Sequence, residues 1–271
     1  MVAPGRASRP GLGRAVVEEA TPEELEGCPF CEGREGRTPP ETLALPEREP
    51  QDAPGWVVRV VPNLYPAFER QEVVIHSPRH VRSFGELADG EIELVAEAWR
   101  QRRGQEPRGY LHALVNEGGA AGASLPHSHS QLVWFRDVPP AVLAEHGGRL
   151  PHPSGGSCVI ETNRALTLLC PEAGRVPYEM LITGGADSES DAFRSDALPG
   201  ALALLRSAVR RLRAVEGPVP WNAWLHNGPM GWHLELLPRL TVFAGIELGA
   251  GLFVNTLAPE EAAVRLREVV T

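Results

Sequence analysis

The chain has 271 residues, a formal net charge of -9 and an apolar content of 42%, which suits a globular protein of one large domain or two smaller ones. The negative charge argues against a nucleic-acid partner, because such binding depends on many cationic contacts with phosphates. No apolar run approaches the roughly 18 residues of a membrane helix, and the N-terminus has no hydrophobic signal segment, so we expect a cytoplasmic protein without membrane contact.

The first half of the chain predicts two strands, a helix and two more strands. In chain order these are 56–68 (WVVRVVPNLYPAF, a strand into a turn), 71–80 (QEVVIHSPRH), a helix over 90–103, 110–118 (YLHALVNEG) and 125–135 (LPHSHSQLVWF). The helix carries Ile92, Val95 and Trp99 at the spacing of a buried face.

The second half repeats this order. Its segments are 165–183 (ALTLLCPEAGRVPYEMLIT, two strands), a helix from about Pro199 to Ala214, 222–229 (NAWLHNGP) and 231–240 (GWHLELLPRL). Leu202, Leu205, Val209 and Leu212 form the inward face of that helix. Two similar orders, offset by a little over 100 residues, indicate a duplication.

Each half therefore predicts an α+β unit, an antiparallel sheet with a helix packed on one face. We place the N-terminal unit at residues 1–150 and the C-terminal unit at 151–271. The segment from Pro139 to Ser157, rich in Pro and Gly, is the predicted connection. The two sheets can pair across the centre of the chain.

The closely spaced cysteines Cys28 and Cys31 form a C-x-x-C pair. In a cytoplasmic protein this spacing is more typical of a metal or redox site than of a structural disulfide. The Gly- and Pro-rich residues that follow lack the strand-then-helix context of a thioredoxin motif. The pattern favours a metal site, with a redox pair or two unlinked buried thiols as alternatives.

The segment LPHSHSQLVWF places three polar residues on one face of a strand. Period-2 geometry puts His127, His129 and Gln131 together, and Leu132 and Trp134 on the opposite face. Solvent-facing residues, metal ligands and catalytic groups are the three interpretations of this pattern. A neutral histidine held by one ring nitrogen can attack phosphorus with the other, and a glutamine on the same face can donate to a phosphate oxygen.

The segment NEGGAAGASLPHSHSQLVW, residues 116–134, resembles the active-site motif of the galactose-1-phosphate uridylyltransferase family, a branch of the histidine-triad superfamily. The usual motif is Asn, a Gly-rich loop, Ser and then His-Pro-His-Gly-Gln. Further matching segments follow in the family's order: APGRASRP (3–10), CPFCEG (28–33), VVPNLYPAF (60–68), HSPRH (76–80) and the C-terminal GIELGAGLFVNTLAPEEAAVRLRE (245–268). The resemblance implies a duplicated histidine-triad-like fold.

The resemblance also assigns roles to individual residues. It implies that His129 is the nucleophile and that Gln131 is its phosphate-binding partner. It places His127 with Cys28, Cys31 and His80 in a structural Zn2+ site, and two thiolates with two imidazoles do suit tetrahedral zinc. The implied nucleotide and phosphate contacts are Arg6, Arg9, Asn63, Asn116 and Ser124.

Two departures from the family pattern affect these expectations. Ser128 and Ser130 replace the usual Pro and Gly, and the variant is similar to the ADP-glucose phosphorylase branch, whose acceptor is inorganic phosphate. The last strand carries His233 and Glu235, which stand where His127 and His129 do in the first half and where many uridylyltransferases have His-x-His at a second metal site. With His226 and Glu145 they suggest a second site of hard ligands, against the alternative of hydrogen-bonded polar groups between strands.

The predicted function is a nucleotidylyltransferase of nucleotide sugars that works by a ping-pong mechanism through a nucleotidyl-histidine. The first expectation is that UDP-glucose is the nucleotide donor and galactose 1-phosphate is the acceptor. The alternatives are phosphorolysis of ADP-glucose or of diadenosine tetraphosphate, and a noncatalytic nucleotide-binding protein. The family also suggests a homodimer, whose contacts we expect to change because the chain begins at APGRASRP without the strand that precedes it in the family.

Overall fold

The computed structural model of the protein describes residues 1–5, 16–145, 158–163, 166–184, 191–228 and 231–269. The predicted boundary at residue 150 and most of the predicted connection lie outside these ranges. None of the helices within them is both long enough and apolar enough to cross a membrane.

Ten strands and six α-helices make up the described part of the fold. The strands are β1 (Leu43–Leu45), β2 (Val58–Pro62), β3 (Gln71–Ile75), β4 (Tyr110–Glu117), β5 (His129–Phe135), β6 (Val159–Asn163), β7 (Leu166–Leu169), β8 (Met180–Gly184), β9 (Trp221–Gly228) and β10 (Gly231–Pro238). The helices are α1 (Pro22–Gly27), α2 (Asp89–Gln105), α3 (Pro140–Glu145), α4 (Leu198–Glu216), α5 (Gly245–Ala250) and α6 (Pro259–Glu268).

All ten strands form one antiparallel sheet. Its order is β1-β2-β3-β5-β4-β9-β10-β8-β7-β6, so the strands before residue 150 lie on one side and those after it on the other. The two sides meet where β4 pairs with β9, with Leu114 opposite Trp224 and Asn116 opposite Asn222. The predicted order of elements in each half, and the pairing of the two sheets, are confirmed.

The long helices α2 and α4 cover one face of the sheet. Every side chain predicted to point inward from them is at most 2% exposed: Ile92, Val95, Trp99, Leu202, Leu205, Val209 and Leu212. They pack on the sheet residues of the same face, among them Leu132 and Trp134 of β5. Because strand side chains alternate, the neighbours of these core residues point to the opposite face. We call that face the open face.

The structure differs from the prediction at the start of β5. β5 begins at His129, and His127 lies in the turn before it, where its ring is fully buried. The strand is therefore shorter than predicted, but the rings of His127 and His129 still lie on the same side, since Phe30 is in edge contact with both, at 5.9 and 5.4 Å between ring centroids. The backbone of Ser128 bonds to the segment after β3 instead, through Ser128 N to Val81 O and His76 N to Ser128 O.

Candidate functional site

The open face carries His129 at the start of β5, beside the central strand β4. Its Nδ1 lies 2.7 Å from the carbonyl oxygen of His127. A carbonyl only accepts, so Nδ1 carries the proton and the neutral ring leaves the lone pair on Nε2. Burial lowers the pKa of His129 below its ordinary value, because a charged ring is costly away from water. The arrangement presents an unprotonated Nε2 as a nucleophile.

Two amide side chains flank His129. Gln131 lies two residues further along β5 on the same face. Val115 of β4 pairs with Ser130, so the next residues in this register, Asn116 and His129, lie side by side. Two strands and a loop thus bring together groups that are 13 to 15 residues apart in the chain.

Each of these amides bonds to a second amide that sequence reasoning missed. Gln71 Nε2 donates to Gln131 Oε1 at 2.6 Å. Asn222 Nδ2 donates to Asn116 Oδ1 at 2.8 Å. No motif marks Gln71 or Asn222, because only the pairing of β3 and β9 with the active-site strands brings them here.

The Gly-rich loop from Gly118 to Ser124 covers the end of β4. Gly118 and Gly122 have φ angles of 87° and 86°, which glycine adopts without strain. A Cβ on Gly118 would lie 2.9 Å from Pro220 Cβ, so a larger residue would push the loop away from β9. Ser124, a predicted phosphate contact, is exposed.

The other predicted nucleotide contacts are only partly described. Asn63 lies in the turn between β2 and β3, where its Oδ1 accepts a hydrogen bond from Tyr65 N at 2.9 Å and closes an Asx turn. Arg6 and Arg9 lie outside the described residues.

The four predicted zinc ligands come together next to His129, whose ring contacts Phe30 as that of His127 does. The ligand atoms of Cys28, Cys31, His80 and His127 all lie within 4.8 Å of one another. Cys28 follows α1, whose first turn is capped by the Thr21 hydroxyl. His127 Nδ1 is 3.4 Å from Cys28 Sγ, and His80 Nδ1 is 3.4 Å from Cys31 Sγ.

The surroundings of this cluster suit a metal ion. The Nε2 atom of His127 donates to Ser77 O at 2.9 Å, and that of His80 to Glu24 Oε1 at 2.8 Å. Both imidazoles therefore turn Nδ1 lone pairs inward and have an outer partner, as metal-ligating histidines do. Burial and the neighbouring Cys28 thiol raise the pKa of Cys31 to about 12, and a bound cation would stabilise the thiolates against this cost.

The two serines of the motif hold the start of β5 by hydrogen bonds on its helix-facing side. Ser128 Oγ lies 3.0 Å from Nδ1 of the fully buried His76. Ser130 Oγ accepts from Trp99 Nε1 of α2 at 3.0 Å. Buried hydrogen bonds thus occupy the positions where the usual motif has Pro and Gly.

A second cluster lies on the open face of the other half. Glu145, His226, His233 and Glu235 offer ligand atoms that also lie within 4.8 Å of one another. His226 Nδ1 is 2.8 Å from Glu145 Oε1, and His233 Nε2 is 3.1 Å from Glu235 Oε1. Glu145 is far from the other three residues in the chain, and the fold brings it to them as predicted.

An arginine distinguishes the second cluster from the first. Arg175 bonds to the carboxylates of Glu179 and Glu235. Although burial opposes ionisation, the hydrogen bond from His233 and the charge of Arg175 lower the pKa of Glu235 to about 2. His233 Nδ1 is buried and has no hydrogen-bond partner among the described residues. The four residues can hold a metal, but within this part of the chain one imidazole has no outer partner.

The comparisons with known proteins agree with this geometry. Residues 66–140 match the family model for galactose-1-phosphate uridyl transferase, N-terminal domain. This match covers β3, α2, β4 and β5, and thus the strand that carries His129.

Relatives extend the likeness to the whole chain. ADP-glucose phosphorylase of Arabidopsis thaliana is 27% identical over 98% of this chain and 88% of its own length. A crystal structure of an ADP-glucose phosphorylase from the same plant, with bound ADP-glucose, covers 100% of this chain and 95% of its own, with a TM-score of 0.83 and 26% identity. Galactose-1-phosphate uridylyltransferase of Thermotoga maritima is 24% identical over 73% of each chain. The chain is thus an α+β protein with a duplicated histidine-triad-like fold and a nucleotidyltransferase that is similar to the galactose-1-phosphate uridylyltransferases and ADP-glucose phosphorylases.

Proposed function

We propose that the protein is an ADP-glucose phosphorylase, which converts ADP-glucose and inorganic phosphate into ADP and glucose 1-phosphate. The extent of the likeness carries this choice: the plant ADP-glucose phosphorylase aligns with 98% of the chain at 27% identity, and the curated uridylyltransferases with 57% to 89% at 24% to 25% identity. The motif variant with Ser128 and Ser130 supports the same branch. The first expectation, UDP-glucose with galactose 1-phosphate, rests on the more distant likeness.

The proposed reaction has two displacements at the same phosphorus. Nε2 of His129 attacks the α-phosphorus of ADP-glucose, the bond from phosphorus to the bridging oxygen breaks, and glucose 1-phosphate leaves. An oxygen of inorganic phosphate then attacks the adenylyl-histidine, the P–N bond breaks, and ADP leaves. The carbonyl of His127 keeps the proton on Nδ1 and stabilises the positive charge that the ring gains when Nε2 bonds to phosphorus.

Amide donors supply the electrostatic part of the proposed mechanism. Gln131 and Asn116 offer NH2 groups beside the nucleophile, where negative charge grows on the nonbridging oxygens during each displacement. Backbone N–H groups of the loop from Gly118 to Ser124 can approach the phosphate closely, because glycine leaves the backbone bare. Asn63, Arg6 and Arg9 are the proposed contacts to the rest of the nucleotide.

The cluster of two cysteines and two histidines is proposed to hold a structural zinc ion. A closed set of four protein ligands is typical of structural rather than catalytic zinc. His127 is both a proposed ligand and the residue whose carbonyl orients His129. The metal would therefore support the nucleophile through one residue without contacting the substrate.

Intact-protein mass spectrometry at alkaline pH, which preserves a phosphoramidate, tests the proposal. The protein is incubated separately with ADP-glucose, UDP-glucose, GDP-glucose and diadenosine tetraphosphate. We expect an adenylyl adduct from ADP-glucose, absent in His129→Ala, that disappears on addition of inorganic phosphate as ADP forms. An adduct from UDP-glucose alone, removed by galactose 1-phosphate, would support uridylyl transfer instead.

A further inference from the structure

The amide groups of Gln131 and Asn116 have a defined orientation. A side-chain amide can present either its oxygen or its NH2 group to a neighbour, and the two ends are nearly alike in shape. Only one orientation of each leaves a donor for a phosphate oxygen. The surrounding hydrogen bonds decide between the two.

The orientation of the Gln131 amide is determined by a series of hydrogen bonds that begins at a backbone N–H group. Ala67 N donates to Gln71 Oε1 at 2.9 Å, and a backbone N–H cannot accept. The Gln71 oxygen is therefore fixed, and its NH2 group points to Gln131, which must present Oε1. Nε2 of Gln131 has no hydrogen-bond partner among the described residues and is left as a donor.

The orientation of the Asn116 amide is determined by a series of hydrogen bonds that begins at a backbone carbonyl group. Asn222 Nδ2 donates to Ala121 O at 2.7 Å and to Asn116 Oδ1 at 2.8 Å. A carbonyl cannot donate, so the NH2 group of Asn222 is fixed, and Asn116 must accept. Nδ2 of Asn116, likewise unpartnered within the described part of the chain, lies beside the Gly-rich loop, 3.9 Å from an ideal Cβ on Gly122.

We infer that Gln71 and Asn222 are positioning residues: each holds a neighbouring amide with its NH2 group turned toward the phosphorus that His129 attacks. The inference rests on the proposed function, because it needs a phosphate at that place. It makes the C-terminal half a contributor to nucleotidyl transfer, since Asn222 belongs to β9. Neither residue touches the substrate. Each acts through its partner and fixes that partner's orientation before substrate binds.

Isosteric changes test the inference. Asn222→Asp and Gln71→Glu keep the size of the side chain but replace the NH2 group by an acceptor. The neighbouring amide must then rotate to donate to the new carboxylate, and the phosphate loses its donor. Removal of one such donor costs about 100-fold in rate. We expect each variant to lower kcat for phosphorolysis of ADP-glucose by about 10- to 100-fold, with KM changed by less than about 3-fold.

Double variants separate positioning from a general structural defect. If Asn222 acts through Asn116, Asn222→Asp adds less than about 3-fold to the loss already caused by Asn116→Ala. Likewise, Gln71→Glu should add less than about 3-fold to the loss of kcat already caused by Gln131→Ala. Asn163→Asp, an exposed change on the outer strand β6, is the matched control and should leave kcat, thermal stability and metal content unchanged.

Two results would overturn the inference. One is wild-type kcat in both isosteric variants. The other is a loss that stays equally large in the Asn116→Ala and Gln131→Ala backgrounds, or that follows the melting temperature. UDP-glucose and GDP-glucose are assayed in parallel, and the same pattern of losses with one of them would retain the positioning role while rejecting ADP-glucose as donor. Absence of turnover with every donor would reject both.

Discussion

The open face differs between the two halves of the sheet. In the first half, cysteines share the metal-ligand set, both ligand imidazoles have outer partners, and His129 stands apart with a carbonyl on one nitrogen. In the second half, carboxylates replace the thiols and contact both histidines, while Arg175 binds Glu235. The first arrangement holds the Nδ1 proton of His129 on a carbonyl and leaves the lone pair on Nε2, whereas each histidine of the second arrangement contacts a carboxylate. One fold can therefore carry a reactive face and a salt-bridged face on a continuous sheet.

The largest effect should come from a matched pair of histidine substitutions. His129→Ala removes the proposed nucleophile and should lower nucleotidyl transfer by at least about 10⁴-fold. His233→Ala changes a histidine of the corresponding strand in the other half and should lower it by less than about 10-fold. Stopped-flow measurement of phosphorolysis, with metal analysis of both variants, checks this. Equal losses would mean that the two faces share the chemistry, and loss of zinc in His129→Ala would contradict the assignment of ligands.

The next effect concerns the thiol cluster. Cys28→Ser should remove the bound metal and lower the free energy of unfolding by at least about 3 kcal/mol, because structural zinc contributes folding energy directly. Cys170→Ser is the control, a buried cysteine outside both clusters. It should keep the metal. Thermal unfolding and metal stoichiometry of both proteins give the answer, and an unchanged zinc content in Cys28→Ser would exclude Cys28 as a ligand.

Two buried carboxyl groups allow a test of charge compensation. Glu235 has Arg175 against it, but the nearest described cation to Glu117 is Arg213 at 3.8 Å. Burial raises the pKa of Glu117 to about 7. The folded protein thus holds this proton more tightly than the unfolded chain, and stability is lost as pH rises from about 4.5 to about 7. Glu117→Gln should therefore be more stable than wild type by about 3 kcal/mol at pH 8, with little difference at pH 4.

Glu72→Gln is the control, and we expect it to change the stability at pH 8 in the opposite direction. Glu72 is also buried, and its carboxylate accepts from Arg102 Nη2 at 2.6 Å. Glu72→Gln should destabilise the protein at pH 8 because it leaves a buried guanidinium uncompensated. Chemical denaturation at both pH values measures the two variants. A destabilised Glu117→Gln at pH 8 would show that Glu117 is ionised and paired in the folded protein.

The smallest expected effect is a difference in metal affinity between the two clusters. A divalent ion in the second cluster should bind at least about 10-fold more weakly than zinc in the first, because no described residue serves His233 as an outer partner. Titration with a chelator should remove that ion first, and His233→Ala should abolish only this step. Two ions released together would refute the difference.

The amino-acid pattern predicts the local elements and the pairing of the two halves, but not which individual residues become neighbours across the strands. Leucines at helical spacing in α4 and the apolar runs of β2 and β3 identify their elements, because burial on one face imposes a period. His127 illustrates the limit: alternation continued the strand too far back, and only the family resemblance connected this residue with the cysteines. Gln71, Asn222 and Glu145 depend on which strands become neighbours, and no local pattern encodes that.

The pairing of β4 with β9 has a consequence for any attempt to separate the two halves. Cutting the chain between them would expose two inner strands of eight residues each, with unpaired N–H and C=O groups and the apolar side chains of Val115 and Trp221. The native edge strands β1 and β6 are less prone to pair with another chain, because β1 has only three residues and the pairing of β6 is irregular between Val159 and Glu161. Isolated halves should therefore aggregate through their freshly exposed strands or recombine with each other.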